Sequence, residues 1–180
     1  MQHAFPARPG APQRKGQMMP APTGYSRNQI ALHWVVFVLI AQQFLFHDAI
    51  ASAWDRIGEG AEMTFDPLVL AHVAGGALVL LFALWRLGLR ARRGAPAPIE
   101  GSKLQVAAAK ITRGGLYLLM ILMPVSGSVA WFGGVQAAAE GHEVLKVVLL
   151  ALVALHVVGV VYHQFVLRDD TLARMRRAGG

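Results

Sequence analysis

The sequence predicts an all-α integral membrane protein: a four-helix bundle of up-down-up-down topology with both termini in the cytoplasm. Three observations carry this. The apolar residues come in four long uncharged blocks, the connections between the blocks alternate between basic and acidic, and several histidines fall inside the blocks, where an ionisable group is costly.

An apolar share of 55% over 180 residues would also suit a soluble protein with a rich core, so the arrangement decides. Ile30 to Phe46 holds no formally charged residue, only His33, Gln42 and Gln43 among its polar groups, and Pro67 to Trp85 has His72 as its one ionisable side chain. Leu116 to Gly134 is uncharged, and Val147 to Val166 is uncharged apart from His156 and His163. A crossing of about 30 Å needs about 20 residues at roughly 1.5 Å each. With their polar ends these runs give spans at about residues 29–47, 67–89, 112–133 and 144–167. Helices of a soluble bundle would show a charged face at every third or fourth residue, and these do not.

The net charge of +7 invites a nucleic-acid reading, but the basic residues are placed as a membrane protein places them. Arg8, Arg14, Lys15 and Arg27 precede the first span. Arg86, Arg90, Arg92, Arg93, Lys103, Lys110 and Arg113 fill the second connection, and Arg168, Arg174, Arg176 and Arg177 follow the last span. The first connection carries Asp48, Asp55, Glu59, Glu62 and Asp66 against Arg56, and the third adds Glu140. Basic segments inside and acidic ones outside agree with four crossings independently of hydropathy. The partner implied by this distribution is a lipid bilayer rather than nucleic acid.

Residues 1–24 contain Pro6, Pro9, Pro12, Pro20 and Pro22 and lack the apolar core of a signal peptide. They read as a disordered basic tail. Residues 25–175 form the membrane domain and 176–180 a short tail. The absence of cysteine excludes disulfides, thiolate-ligated iron–sulfur clusters and covalent haem attachment.

The candidate site residues are the intramembrane histidines. His142 and His156 are 14 residues apart, which at about 100° per residue returns to nearly one face and separates them by roughly 21 Å. His33 lies near the inner end of the first span and His72 near the outer end of the second, so the pairs are His33 with His156 and His72 with His142. A pair of imidazoles on facing helices suits the two axial positions of a low-spin haem. The spans contain no Cys, Asp or Glu to complete a zinc or manganese site. The bland alternative for any one histidine is a hydrogen bond to a neighbouring helix. His47 also follows His33 by 14 residues and competes for the outer iron; His72 is preferred because His47 sits beside Asp48 at the edge of its span. Gly75, Gly76 and Gly159, one turn from His72 and His156, give room for a flat macrocycle or simply for a close helix contact.

Several stretches resemble the bacterial cytochrome b-561 family: Tyr25-Ser26-Arg27 with Ile30-Ala31-Leu32-His33-Trp34, the His72 span ending in Trp85-Arg86-Leu87, Leu116-Tyr117-Leu118-Leu119 through Pro124 to Gly127, and the His142 and His156 pair followed by Asp169-Asp170-Thr171-Leu172. The resemblance runs from about Gly24 to Met175. It implies a multi-pass protein of the bacterial inner membrane holding two haem b groups, with His33, His72, His142 and His156 as iron ligands. It also implies oxidation of superoxide at the outer face coupled to reduction of ubiquinone near the inner haem. The family's quinone-contacting histidine falls on His163, for which a helix-end contact with lipid head groups is the plainer alternative. Many members have histidine where Arg113 stands, so the role of that position stays open. The acidic outer connections suit a cationic periplasmic donor protein better than an anion. An electron-relay or anchor subunit, passing electrons from a partner protein to quinone, is therefore the second reading. A non-redox bundle or transporter is the third, and no inverted repeat or broken helix supports it.

Overall fold

The computed structural model describes residue 22 and residues 24–62, 64–96 and 101–179. The proline-rich tail at 1–24 therefore lies almost wholly outside the described residues, as does His3. Among the described residues the fold is entirely helical, with α1 Arg27–Leu45, α2 His47–Gly58, α3 Pro67–Arg93, α4 Lys103–Gly133 and α5 Gln136–Tyr162, followed by a π-helical turn His163–Leu167 and a short 3-10 turn Ala173–Met175. Four of these helices, α1, α3, α4 and α5 with its π-helical extension, are long and apolar enough to cross a membrane.

Local chemistry sets the helix ends. Ser26 and Gln29 form a reciprocal capping box at the start of α1, and Ser102 and Gln105 do the same for α4. The Asp66 carboxylate accepts from the Leu68 and Val69 amides, with Pro67 in the first turn, where its missing N–H costs nothing. At the other end of α3, Arg90, Arg92 and Arg93 complement the helix dipole before Gly94. Gly134 takes a left-handed conformation (φ 63°) that ends α4 and lets α5 begin two residues later. α5 starts at Gln136, so His142 lies inside the helix.

The transmembrane helices pack in the order α1, α3, α4, α5, with α2 resting mainly on α3. α2 is the element no hydropathy run announces: it turns Ile50, Ala51, Trp54 and Asp55 toward the cavity beneath and leaves Asp48 outside it. The bundle core is small, built from Val36, Val79, Ala83 and Met120 with Leu39, Ile40, Phe82 and Tyr117 packed around them. Val38, Leu81, Leu118 and Val158 face outward with more than half their surface exposed. In water that surface would drive aggregation. In lipid it is the solvent-facing side, and the 27 residues of α3 and 31 of α4, about 40 Å or more at 1.5 Å per residue, reach past a hydrocarbon core of about 30 Å.

Close approach of α4 and α5 depends on glycine. A Cβ on Gly115 would stand 2.7 Å from Leu152 Cδ1, and one on Gly127 would stand 3.1 Å from the His142 ring. On α3, the space a Gly75 side chain would need holds the Gln42 and Gln43 side chains of α1, while Gly159 faces open space. Gly75 thus serves a helix contact.

The start of α1, the end of α3 and the C-terminal segment meet at one end of the bundle. Gln29 Nε2 donates to the Gly94 carbonyl (3.2 Å), Trp34 Nε1 to that of Met175 (3.1 Å), and the Gly179 amide to that of Tyr25 (3.2 Å). This end collects Arg27, Arg90, Arg92, Arg93, Lys103, Arg168 and the C-terminal arginines.

Candidate haem sites

At the basic end, α1 brings His33 against His156 of α5, with ring centres 6.3 Å apart and planes at 66°. A metal–imidazole bond of about 2 Å on each side, added to the reach from each ring centre to its nitrogen, spans about 6 Å. The pair is therefore spaced to take one metal between its rings. Trp34 packs edge-on against His33 at 5.3 Å. Arg86 of α3 donates from Nη1 to His33 Nδ1 at 3.1 Å and lies over the Tyr117 ring at 5.8 Å.

At the opposite end, His72 of α3 and His142 of α5 line one cavity of about 690 Å³, inside the range of about 300–1,000 Å³ usual for cofactor sites. His142 is oriented without ambiguity. Its Nδ1 lies 3.0 Å from the Met123 carbonyl, which can only accept, so Nδ1 carries the proton and Nε2 keeps its lone pair. Ser126 Oγ, 3.1 Å from the same Nδ1, donates its own proton to the Met123 carbonyl. This is the outer support a ligating histidine needs. Among the described residues, two polar atoms on the walls, His72 Nδ1 and Gln43 Nε2, are buried with no group at hydrogen-bonding geometry, which costs stability unless a bound group changes their surroundings.

His47, the alternative outer ligand, heads α2 and lines the same cavity. Its Nε2 is 2.9 Å from Glu143 Oε1 and 2.8 Å from Lys146 Nζ, and Glu143 also pairs with Lys146. His47 is thus engaged by polar partners through the nitrogen that would ligate, whereas His142 keeps that nitrogen free. Sequence reading missed Glu143, Lys146, Met123 and Ser126. The first two could have been found as an i, i+3 pair beginning one residue after His142; a backbone acceptor such as Met123 has no sequence signal.

His163 follows α5 in the π-helical turn. Its Nδ1 is 2.5 Å from Asp169 Oδ2, while Asp169 Oδ1 accepts from the Thr171 amide at 2.9 Å. Arg168, between them, has a positive φ of 53° that folds the chain back and brings Asp169 under His163. Burial pushes the Asp169 carboxyl up, but hydrogen bonds from His163 and Thr171 outweigh it and hold the group below its ordinary value.

Among the described residues no group of three or more His, Cys, Asp or Glu could hold a bare metal ion. Two-histidine sites fit a metal whose remaining ligands come with a macrocycle, so the donor set suits haem b. The sequence pattern of prokaryotic cytochrome b561 matches residues 24–178. The chain belongs to the prokaryotic cytochrome b561 family. It is 40% identical to the cytochrome b562 of Cereibacter sphaeroides, over 86% of this chain and 96% of that one. It is 25% identical to the protein named "Probable superoxide oxidase CybB" of Yersinia pestis, over 84% of this chain and 94% of that one. The cytochrome is a multi-pass bacterial membrane protein of a haem b electron-transfer family. Its Arg113, near enough to His156 to act on it electrostatically, adds a second guanidinium to the inner pair beside Arg86.

Proposed function

We propose that this cytochrome holds two haem b groups, one between His33 and His156 and one between His72 and His142, and carries electrons from superoxide at the outer face to ubiquinone at the inner face. The observation that supports the reading is that His33 and His156 lie ring to ring at one end of the bundle while His72 and His142 line one cavity at the other. The basic end lies in the cytoplasm, which puts both termini of the membrane domain inside. Bound haem supplies reversible one-electron transfer between the two faces.

The chain's residues do the rest. His142, fixed as the Nδ1–H tautomer by Met123 and Ser126, offers Nε2 outward without reorganisation. α2 roofs the outer cavity with Trp54, and Lys146 places an ammonium there that an anion can meet. The balance is two superoxide anions oxidised to oxygen at the outer face for each quinone that gains two electrons and two protons at the inner face. With its Nδ1–H given to Asp169, His163 leaves Nε2 to exchange a proton with a quinone oxygen.

A second reading, an electron relay fed by a partner protein, is favoured by the outer rim. Asp55, Glu59 and Glu140 line the same cavity as a Lys146 whose charge Glu143 already pairs, and Asp48, Glu62 and Asp66 add to the acidic first connection. The deciding experiment is superoxide consumption by purified protein with ubiquinone present, in wild type and in single variants. His33→Ala or His156→Ala should remove one haem, His72→Ala or His142→Ala the other. His163→Ala should keep both haems but lose quinone reduction. Fully haem-loaded protein that does not consume superoxide moves the assignment to the relay; colourless protein ends both readings.

A further inference from the structure

Arg86 sits seven residues, about 10 Å along the axis, inside the end of α3 at Arg93, deeper than the arginines that reach the interface. Its charge is permanent. Among the described residues no carboxylate lies within ion-pairing distance of it; the carboxylate pairs present are those of His47, Lys146 and His163. Its contacts are the His33 Nδ1 atom and the face of Tyr117. A half-buried cation in a membrane span with no counter-charge is unfavourable and marks a function.

The hydrogen bond to His33 is informative because a guanidinium only donates. His33 Nδ1 must therefore accept, and the proton of the neutral ring sits on Nε2. A neutral histidine that ligates through Nε2 carries its proton on Nδ1 and can no longer accept from Arg86. The Arg86 bond and Nε2 ligation at His33 exclude each other. Haem b brings two carboxylate side chains, the planar, two-oxygen anion that an arginine fork matches.

Resting on the assignment of His33 and His156 as the inner ligands, we propose that Arg86 is a haem-carboxylate anchor, its guanidinium pairing with a carboxylate side chain of the inner haem. That pairing leaves His33 Nδ1 to keep its own proton, as ligation through Nε2 requires, and gives the cation its missing counter-charge. Arg86 thereby couples loading of the inner site to formation of an ion pair between α3 and the cofactor.

The test uses purified holoprotein whose haem carries ¹³C in its carboxyl carbons, read by oxidised-minus-reduced infrared spectroscopy. In Arg86→Gln a labelled carboxylate band should shift and the inner haem's midpoint potential should fall, since removing a nearby positive charge disfavours the electron. In Arg86→Lys, which keeps the charge but not the fork, the band should shift while the potential stays close to wild type. Should Arg86→Gln lose its inner haem, Arg86→Lys supplies the infrared measurement. Labelled bands that stay at their wild-type positions overturn the proposal and assign Arg86 to a lipid phosphate. His33→Ala separates the underlying assignment: two retained haems there mean the ligand pair is wrong, whereas one retained haem there, with labelled bands unmoved in the Arg86 variants, refutes the anchor alone.

Discussion

Replacing Gly127 by alanine tests whether the position of the His142 ring matters. The new methyl carbon would lie 3.1 Å from His142 Cε1 and 3.2 Å from Nδ1, whereas carbon contacts settle at about 3.5–4.0 Å. The ring must retreat by about 0.4–0.9 Å or α4 and α5 must part by that much. It has little freedom to do so, because Nδ1 is held by the Met123 carbonyl at 3.0 Å and Ser126 Oγ at 3.1 Å. Functional constellations tolerate about 0.5 Å of displacement, and disturbing the support of a metal-bound histidine costs about 10–100-fold in affinity. That is about 1.4–2.7 kcal/mol, all of it at the outer site. Haem per chain, followed by visible spectra while an acceptor protein competes for released haem, reads the loss; the inner haem is the internal control. Gly114→Ala, where a Cβ meets nothing within 4 Å, should leave both haems in place and stabilise α4 by up to about 1 kcal/mol. If Gly127→Ala holds its outer haem as tightly as wild type, with an unchanged potential, the ring is not where the ligand role requires it.

Salt separates the two candidate donors. Ions at physiological strength screen charges beyond about 8 Å, so added salt should speed reaction with superoxide past the acidic rim and slow reaction with a cationic protein; a steep fall with superoxide would show that Lys146 governs entry despite Glu143. Asp169, held below its ordinary value of 3.8, stabilises the C-terminal segment at every pH above that value, and the contribution is lost as pH falls through the lowered folded value. Protease sensitivity of the segment after Leu167 should therefore rise as pH is taken below 3.8, and Asp169→Asn should show that sensitivity already at neutral pH; a variant as resistant as wild type would mean that the His163 contact does not hold the segment.

The membrane bundle was legible because its signals are one-dimensional. Uncharged runs the length of a bilayer, arginines gathered in alternate connections and histidines 14 residues apart on one span follow from the thickness of the hydrocarbon and the pitch of a helix, without knowing which helices touch. The His33 and His156 pairing could be anticipated for the same reason, since depth along a span is fixed by residue number. Tertiary structure decided what depends on contact across helices. α2 was hidden because an amphipathic helix of 12 residues gives no long apolar run. The Met123 carbonyl that sets the His142 tautomer is a backbone group that every residue possesses. Lys146 and Glu143 acquire meaning only where His47 arrives from α2, and Asp169 reaches His163 only because Arg168 turns the chain back. Arg86 reads in sequence as one more inner-face arginine. Its contact with His33, and the absence of a carboxylate to meet it among the described residues, exist only where α3 packs on α1.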